Sequence, residues 1–354
     1  MQLKIQYDDE MIPVKNIEYN NSLFKLQALN REKVDVSVNI KYHLIKDDEY
    51  DFNNFELYIL NNQKCVENSI FQVYEKTKNK RIGWIFPVQS LVSNEHKEAN
   101  NKYFLKYAYV AMEILIRRIE SIEFKDDIYE IDDFYNSESV ILIIDKGNIS
   151  DIEGFKIENY IPYLYKYGYC FNGNNDLPYF TQVEERLNLH SVSPILKEEN
   201  YIIELFKNFL GNEASYLLKF YLLYQVIELI LEKIFDKEFK DIVHGLSSND
   251  KSLFDTKETL STIANEKYRI KKLFTNYSKN IEALEELKIR CNLFLERKDK
   301  KKYTTGAESL YSVRNLLVHL SRIVNDNDEE LINEINMYFE ICIIELITIG
   351  IKEL

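Results

Sequence analysis

The chain is poor in the residues from which several common sites are built. Its 354 residues include only 9 glycines and 5 prolines. That argues against glycine-rich loops that cradle phosphates, and neither a Walker A nor a G-x-G-x-x-G pattern occurs. The four cysteines (Cys65, Cys170, Cys291 and Cys342) are widely separated and form no C-x-x-C. With no signal-like start, they read as free thiols of the cytoplasm. The five histidines (His43, His96, His190, His244 and His319) are equally scattered. No zinc-ligand spacing results, and no metal or cofactor is expected. No apolar run reaches a membrane span: 215–235 is interrupted by Lys219, Gln225, Glu228, Glu232 and Lys233, and 337–351 by Glu340 and Glu345. The net charge of −13 disfavours broad, sequence-indifferent binding to nucleic acid.

What is present predicts a folded chain. Hydrophobic content is 45% and aromatic content 13%, enough for sizeable cores, and the length suits two domains. Val34, Val36, Val38 and Ile40 alternate with polar partners, while 55–60, 81–91 and 140–144 are apolar runs of β-formers. Between them, Phe104, Tyr107, Ala111, Ile114 and Leu115 follow helical spacing. Tyr163, Tyr165, Tyr167, Tyr169 and Phe171 alternate strictly, which predicts a strand with five aromatics on one face. Such a face either stacks bases or packs under a helix. A proline-containing polar stretch, Ser191-Val192-Ser193-Pro194, marks a boundary. Helical patterns follow near 201–210, 213–236, 256–275, 279–298, 306–323 and 328–352, with 237–255 as a loop and Asp326 or Asp328 as a cap for the last helix. The fold class expected is therefore α+β: a mixed α/β domain over 1–192, then an all-α bundle over 195–354.

Residues 308–323 carry the chemistry. On a helix, Leu310, Val313, Leu317, Leu320 and Val324 form a core-facing stripe. Tyr311, Ser312, Asn315, His319 and Arg322 lie opposite, with Arg314 at the flank. Arginine can hold a phosphate through two parallel hydrogen bonds, and histidine moves protons near neutrality. Leu316, Val318 and Ile323 border this outer face, a pattern that suggests a second contact such as a twofold dimer. Lys298, Lys300, Lys301 and Lys302 precede the helix; they form either a phosphate-attracting rim or a solvated helix end. Glu228, on the polar strip Tyr221-Gln225-Glu228-Glu232, pairs with Arg314 if their helices are neighbours.

The run Arg314-Asn315-Leu316-Leu317-Val318-His319 resembles the R-x4–6-H signature of HEPN-domain proteins, with the polar residue after the arginine that this family favours. The resemblance covers roughly 195–354. It implies a helical bundle dimerising through the motif face and a metal-independent endoribonuclease, a toxin or antiviral-defence effector acting on RNA. Arg314, His319 and Asn315 would be its catalytic residues. The N-terminal domain would then be a sensor or restraint, answering to an unknown activator or inhibitor. The alternative is a non-catalytic bundle that dimerises, with an N-terminal domain that binds a ligand or protein.

Overall fold

The alternation at 34–40 becomes a strand whose inward side chains, Val36 and Val38, are completely buried. The computed structural model describes the chain except residues 1–2, 32–33, 48, 125–127, 137, 172–182, 184, 198, 213–214, 248–252, 320–324 and 352–354. Its strands are β1 (Lys4–Tyr7), β2 (Glu10–Asn20), β3 (Leu23–Ala28), β4 (Asp35–Asn39), β5 (Phe55–Asn61), β6 (Phe71–Glu75), β7 (Lys80–Pro87), β8 (Ser121–Glu123), β9 (Ile128–Glu130), β10 (Ser139–Asp145) and β11 (Arg186–Leu189). They form two sheets, ordered β8-β1-β2-β3-β4-β9 and β11-β6-β7-β10-β5. Interior pairings are antiparallel, while the edge strands β8, β9 and β11 pair in parallel. Burial of β10 on both faces explains its unbroken apolar run. Beside it, Gly83 of β7 admits no side chain, because a Cβ there would lie 1.9 Å from the Ile143 carbonyl oxygen.

Among the described residues, three α-helices accompany these strands: α1 (Gln89–Val92), α2 (Lys102–Arg118) and α3 (Lys146–Ile149). The middle one is buried nearly all round. Tyr109 of α2 stacks on Phe24 of one sheet, while Phe104 meets Trp84 and Phe86 of the other edge-on. An amphipathic surface helix would show one apolar stripe; this one needs two because it lies between the sheets.

The second compact unit is helical. It begins with a 3₁₀ turn (Ile157–Tyr160) and α4 (Ile161–Lys166), and resumes at His190. There follow α5 (Asn200–Glu204) with a π turn at Leu205–Phe209, α6 (Tyr216–Ser247), α7 (Leu253–Ala264), α8 (Glu266–Tyr277), α9 (Ile281–Arg297), α10 (Gly306–His319) and α11 (Asp326–Glu345). Against these neighbours, α11 packs on α6 and α9, and α9 packs on α10. The chain is α+β, with both sheets in its first half and the long helices in its second. Among the described residues no helix is long and apolar enough to cross a membrane.

Several expectations are corrected. The tyrosine alternation is not a strand: 161–166 is a helix whose Ile161, Pro162, Tyr163, Leu164 and Tyr165 are all buried, so enclosure rather than a two-residue period makes them apolar. This segment belongs to the helical unit, and 167–171 to the sheets, so the division is not a single cut at 192–195. The loop expected at 237–255 is helical as far as Ser247, because Ile234 and Ile242 keep the buried face going; the roughly 1 kcal/mol cost of Gly245 is tolerated. The helix expected at 256–275 is two, broken at Asn265, whose side chain caps α8 by accepting from the Tyr268 N–H. The last helix is capped by Asn325 rather than Asp326 or Asp328; Asp328 returns the bond from the third position as a capping box.

Candidate functional site

The motif helix α10 is set in place from its first turn. Thr305 and Glu308 form a reciprocal cap, with the Glu308 N–H donating to Thr305 Oγ1 at 3.3 Å and that hydroxyl donating to Glu308 Oε2 at 3.0 Å. Gly306 lets the helix close on α9, since a Cβ there would lie 2.9 Å from the Leu284 carbonyl oxygen. Leu310, Val313 and Leu317 are fully buried, as the stripe requires. At the far end the Tyr221 hydroxyl of α6 donates to the Leu317 carbonyl at 2.8 Å, taking up one of the unpaired carbonyls of the last turn.

Arg314 reaches sideways to α6 and α8. Its Nη2 donates to Glu228 Oε1 at 2.9 Å and lies 4.0 Å from Glu266 Oε1, while Nη1 donates to Asn315 Oδ1 at 3.1 Å. The guanidinium sits over the Tyr224 ring, 5.2 Å from its centroid. Burial works against its charge, but the Glu228 hydrogen bond and the neighbouring Tyr224 and Glu266 outweigh that and raise its pKa. Burial likewise raises the Tyr224 phenol, and both carboxylates add to the effect. The phenol stays neutral and donates to Glu266 Oε1 at 3.5 Å.

His319 ends the helix exposed, and Val318 beside it is 46% exposed. Arg314 and His319 are five positions apart, which on an α-helix is about 7.5 Å along the axis and about 140° around it. Asn315 and His319 share a face instead, one turn apart. Leu316, expected on the outer border, is 6% exposed and packs within its own bundle. Ile323, like Leu320, Arg322 and Val324, lies outside the described residues. Of the three residues expected on that border, Val318 alone is both described and exposed.

The four lysines separate. Lys298 is not a rim residue: its Nζ lies 2.5 Å from Asp328 Oδ2, with side-chain exposures of 9% and 3%. It ties the end of α9 to the capped start of α11. Lys302 pairs with Glu296 at 2.9 Å on the surface, and Lys300 and Lys301 are exposed. Sequence reasoning anticipated Glu228 but missed Glu266 and Tyr224. The signal for Glu266 was Asn265, a capping residue inside what looked like one helix. No three His, Cys, Asp or Glu side chains among the described residues cluster in a way that would hold a metal. None of the four cysteines is joined to another by a disulfide among the described residues.

What these residues make together is a largely buried guanidinium with an amide beside it, acidic groups facing it, and an imidazole on the same helix. Comparison with protein-family models, curated proteins and solved structures finds no match to this chain.

Proposed function

We propose that the helical unit is a metal-independent endoribonuclease of the HEPN kind, a toxin or defence effector acting on cytoplasmic RNA as a homodimer. The observation that carries this is the placement of Asn315 and His319 on one outer face of α10 with a partly exposed Arg314 at its flank, while the other side is core. Arg314 holds the scissile phosphate and offsets the charge that builds on it. His319 takes the proton from the ribose 2′-OH, or gives one to the leaving 5′-oxygen, leaving a 2′,3′-cyclic phosphate. Asn315 orients these groups. The angular separation of Arg314 and His319 favours a shared cleft, in which a twofold partner supplies the second histidine. Val318 provides an apolar contact beside it. The first unit senses or restrains this activity.

The test is the integrity of total RNA after induced expression of wild type beside His319→Ala, with purified protein assayed in EDTA. Degradation by wild type only, unaffected by EDTA, is the expected result; strict Mg²⁺ dependence would refute the mechanism. A second reading has an observation in its favour. Arg314 is already paired with Glu228, as it would be in a non-catalytic bundle that only binds or dimerises.

A further inference from the structure

Both terminal nitrogens of Arg314 are engaged by the protein's own oxygens, Nη1 by Asn315 and Nη2 by Glu228. A phosphate gripped end-on by a guanidinium uses that same pair of nitrogens. With Glu228 in place, one N–H of that pair is already taken, so a phosphodiester gripping end-on has to compete with the carboxylate. Glu266, 4.0 Å from Nη2, adds a second negative charge on the same side.

The two members of the main pair differ in freedom. Arg314 has a side-chain exposure of 22% and is pinned over Tyr224, whereas Glu228 is 46% exposed on the outer strip of α6. The group able to swing away is the carboxylate. Glu266 is less free, because it also accepts from Tyr224 and its side-chain exposure is 32%.

We propose that Glu228 is a latch: it occupies the phosphate seat of Arg314 in the resting protein, and a nucleic-acid phosphate must displace it before the site can act. This rests on the reading of Arg314 as a phosphate-holding group. The exchange trades one anion for another of equal charge, so it needs no change in the bundle. Its energetic barrier is that of a part-exposed ion pair, a modest one. An anion presented by chance gains little, whereas a strand held at several points can open the latch. The acidic strip thus keeps a potentially harmful site silent towards free phosphate and nucleotides.

The measurement is equilibrium binding of a fluorescent single-stranded DNA oligonucleotide to the full-length protein at fixed salt. DNA lacks the 2′-OH and so is not consumed. Glu228→Gln should bind about two- to fivefold more tightly than wild type, on the scale of losing one part-exposed competitor. Glu266→Gln should gain less than about twofold. Glu228→Asp, which withdraws the carboxylate without changing charge, should also gain, and it stands in if the glutamine variant folds poorly. Adding Arg314→Ala should erase every gain. Weaker or unchanged binding by Glu228→Gln, with Arg314→Ala still lowering affinity, overturns the latch: Glu228 would then position the arginine, and the phosphate reading would survive. Wild-type affinity in Arg314→Ala overturns that reading itself. No binding by any variant counts against both.

Discussion

Two carboxylate–cation pairs in the helical unit have the same chemistry and opposite surroundings. Glu340 of α11 is fully buried, its Oε1 2.5 Å from Lys219 Nζ of α6, and its Oε2 accepts from the Tyr165 hydroxyl of α4 at 3.3 Å. Glu228 and Arg314 meet at 2.9 Å with nearly half of the carboxylate in water. The first pair cannot be exchanged for anything, because separating it strands a charge in a dry interior. It fixes three helices. The second can be exchanged, since water or another anion can satisfy either partner. Burial alone decides which pair is structure and which is available for function.

The largest effect tests the exposed side of this contrast. Arg314→Ala and His319→Ala should each lower RNA cleavage by ~10²–10⁴-fold. Their thermal and chemical stability should stay within about 1 kcal/mol of wild type, the usual range for part-exposed pairs. Unfolding of either variant would erase the distinction. On the buried side, Glu340→Ala leaves Lys219 unpaired and should cost roughly 3–5 kcal/mol in denaturant unfolding, with cleavage per folded molecule unchanged.

Acidity separates the environments further. Burial raises the Glu340 carboxyl above its ordinary 4.5, with Lys219 and Tyr165 pulling the other way. The folded state then holds this proton more tightly than the unfolded chain does. Its contribution is therefore greatest below 4.5 and is lost as pH rises through the raised value. His96 in the first unit does the reverse. It is 4% exposed, and burial lowers its pKa below 6.5, so its contribution is present above 6.5 and lost as pH falls through the lowered value. Unfolding curves across pH should show both slopes, with Glu340→Gln removing one and His96→Gln the other. The smallest effect belongs to Asn315→Ala. Losing one hydrogen bond to Arg314 should cost on the order of 1 kcal/mol in binding or rate, seen as a several-fold drop in cleavage.

Much of the fold was readable where one face was buried and the other was not. Val36 and Val38, and the Leu310-Val313-Leu317 stripe, kept their periods and were placed correctly. Enclosure on every side removes the period: β10 and α2 were still read as the right elements, but the tyrosine segment was not. Residues 161–166 looked like a strand because tyrosines buried around a short helix happened to alternate, and α2 hid its second apolar face. At the candidate site, Arg314, Asn315 and Glu228 were legible because the first two stand side by side in the motif and a polar strip flagged the third. Glu266 was not, because its proximity arises from a helix break that only Asn265 signals. Leu316 was misplaced because a wheel assigns a border residue to either side, and only neighbouring helices decide.

The interleaving of the two units has a consequence for how the protein is made. Residues 157–166 enter the helical unit before β11 completes the second sheet. Tyr165 from that early segment packs on Phe206 and reaches Glu340, near the very end of the chain. A ribosome therefore releases the sheets' last strand while α4 still waits for partners not yet synthesised. A fragment starting at 195 would lack the tyrosine that meets the buried carboxylate. Such a C-terminal fragment should therefore be less stable than the helical unit within the whole chain.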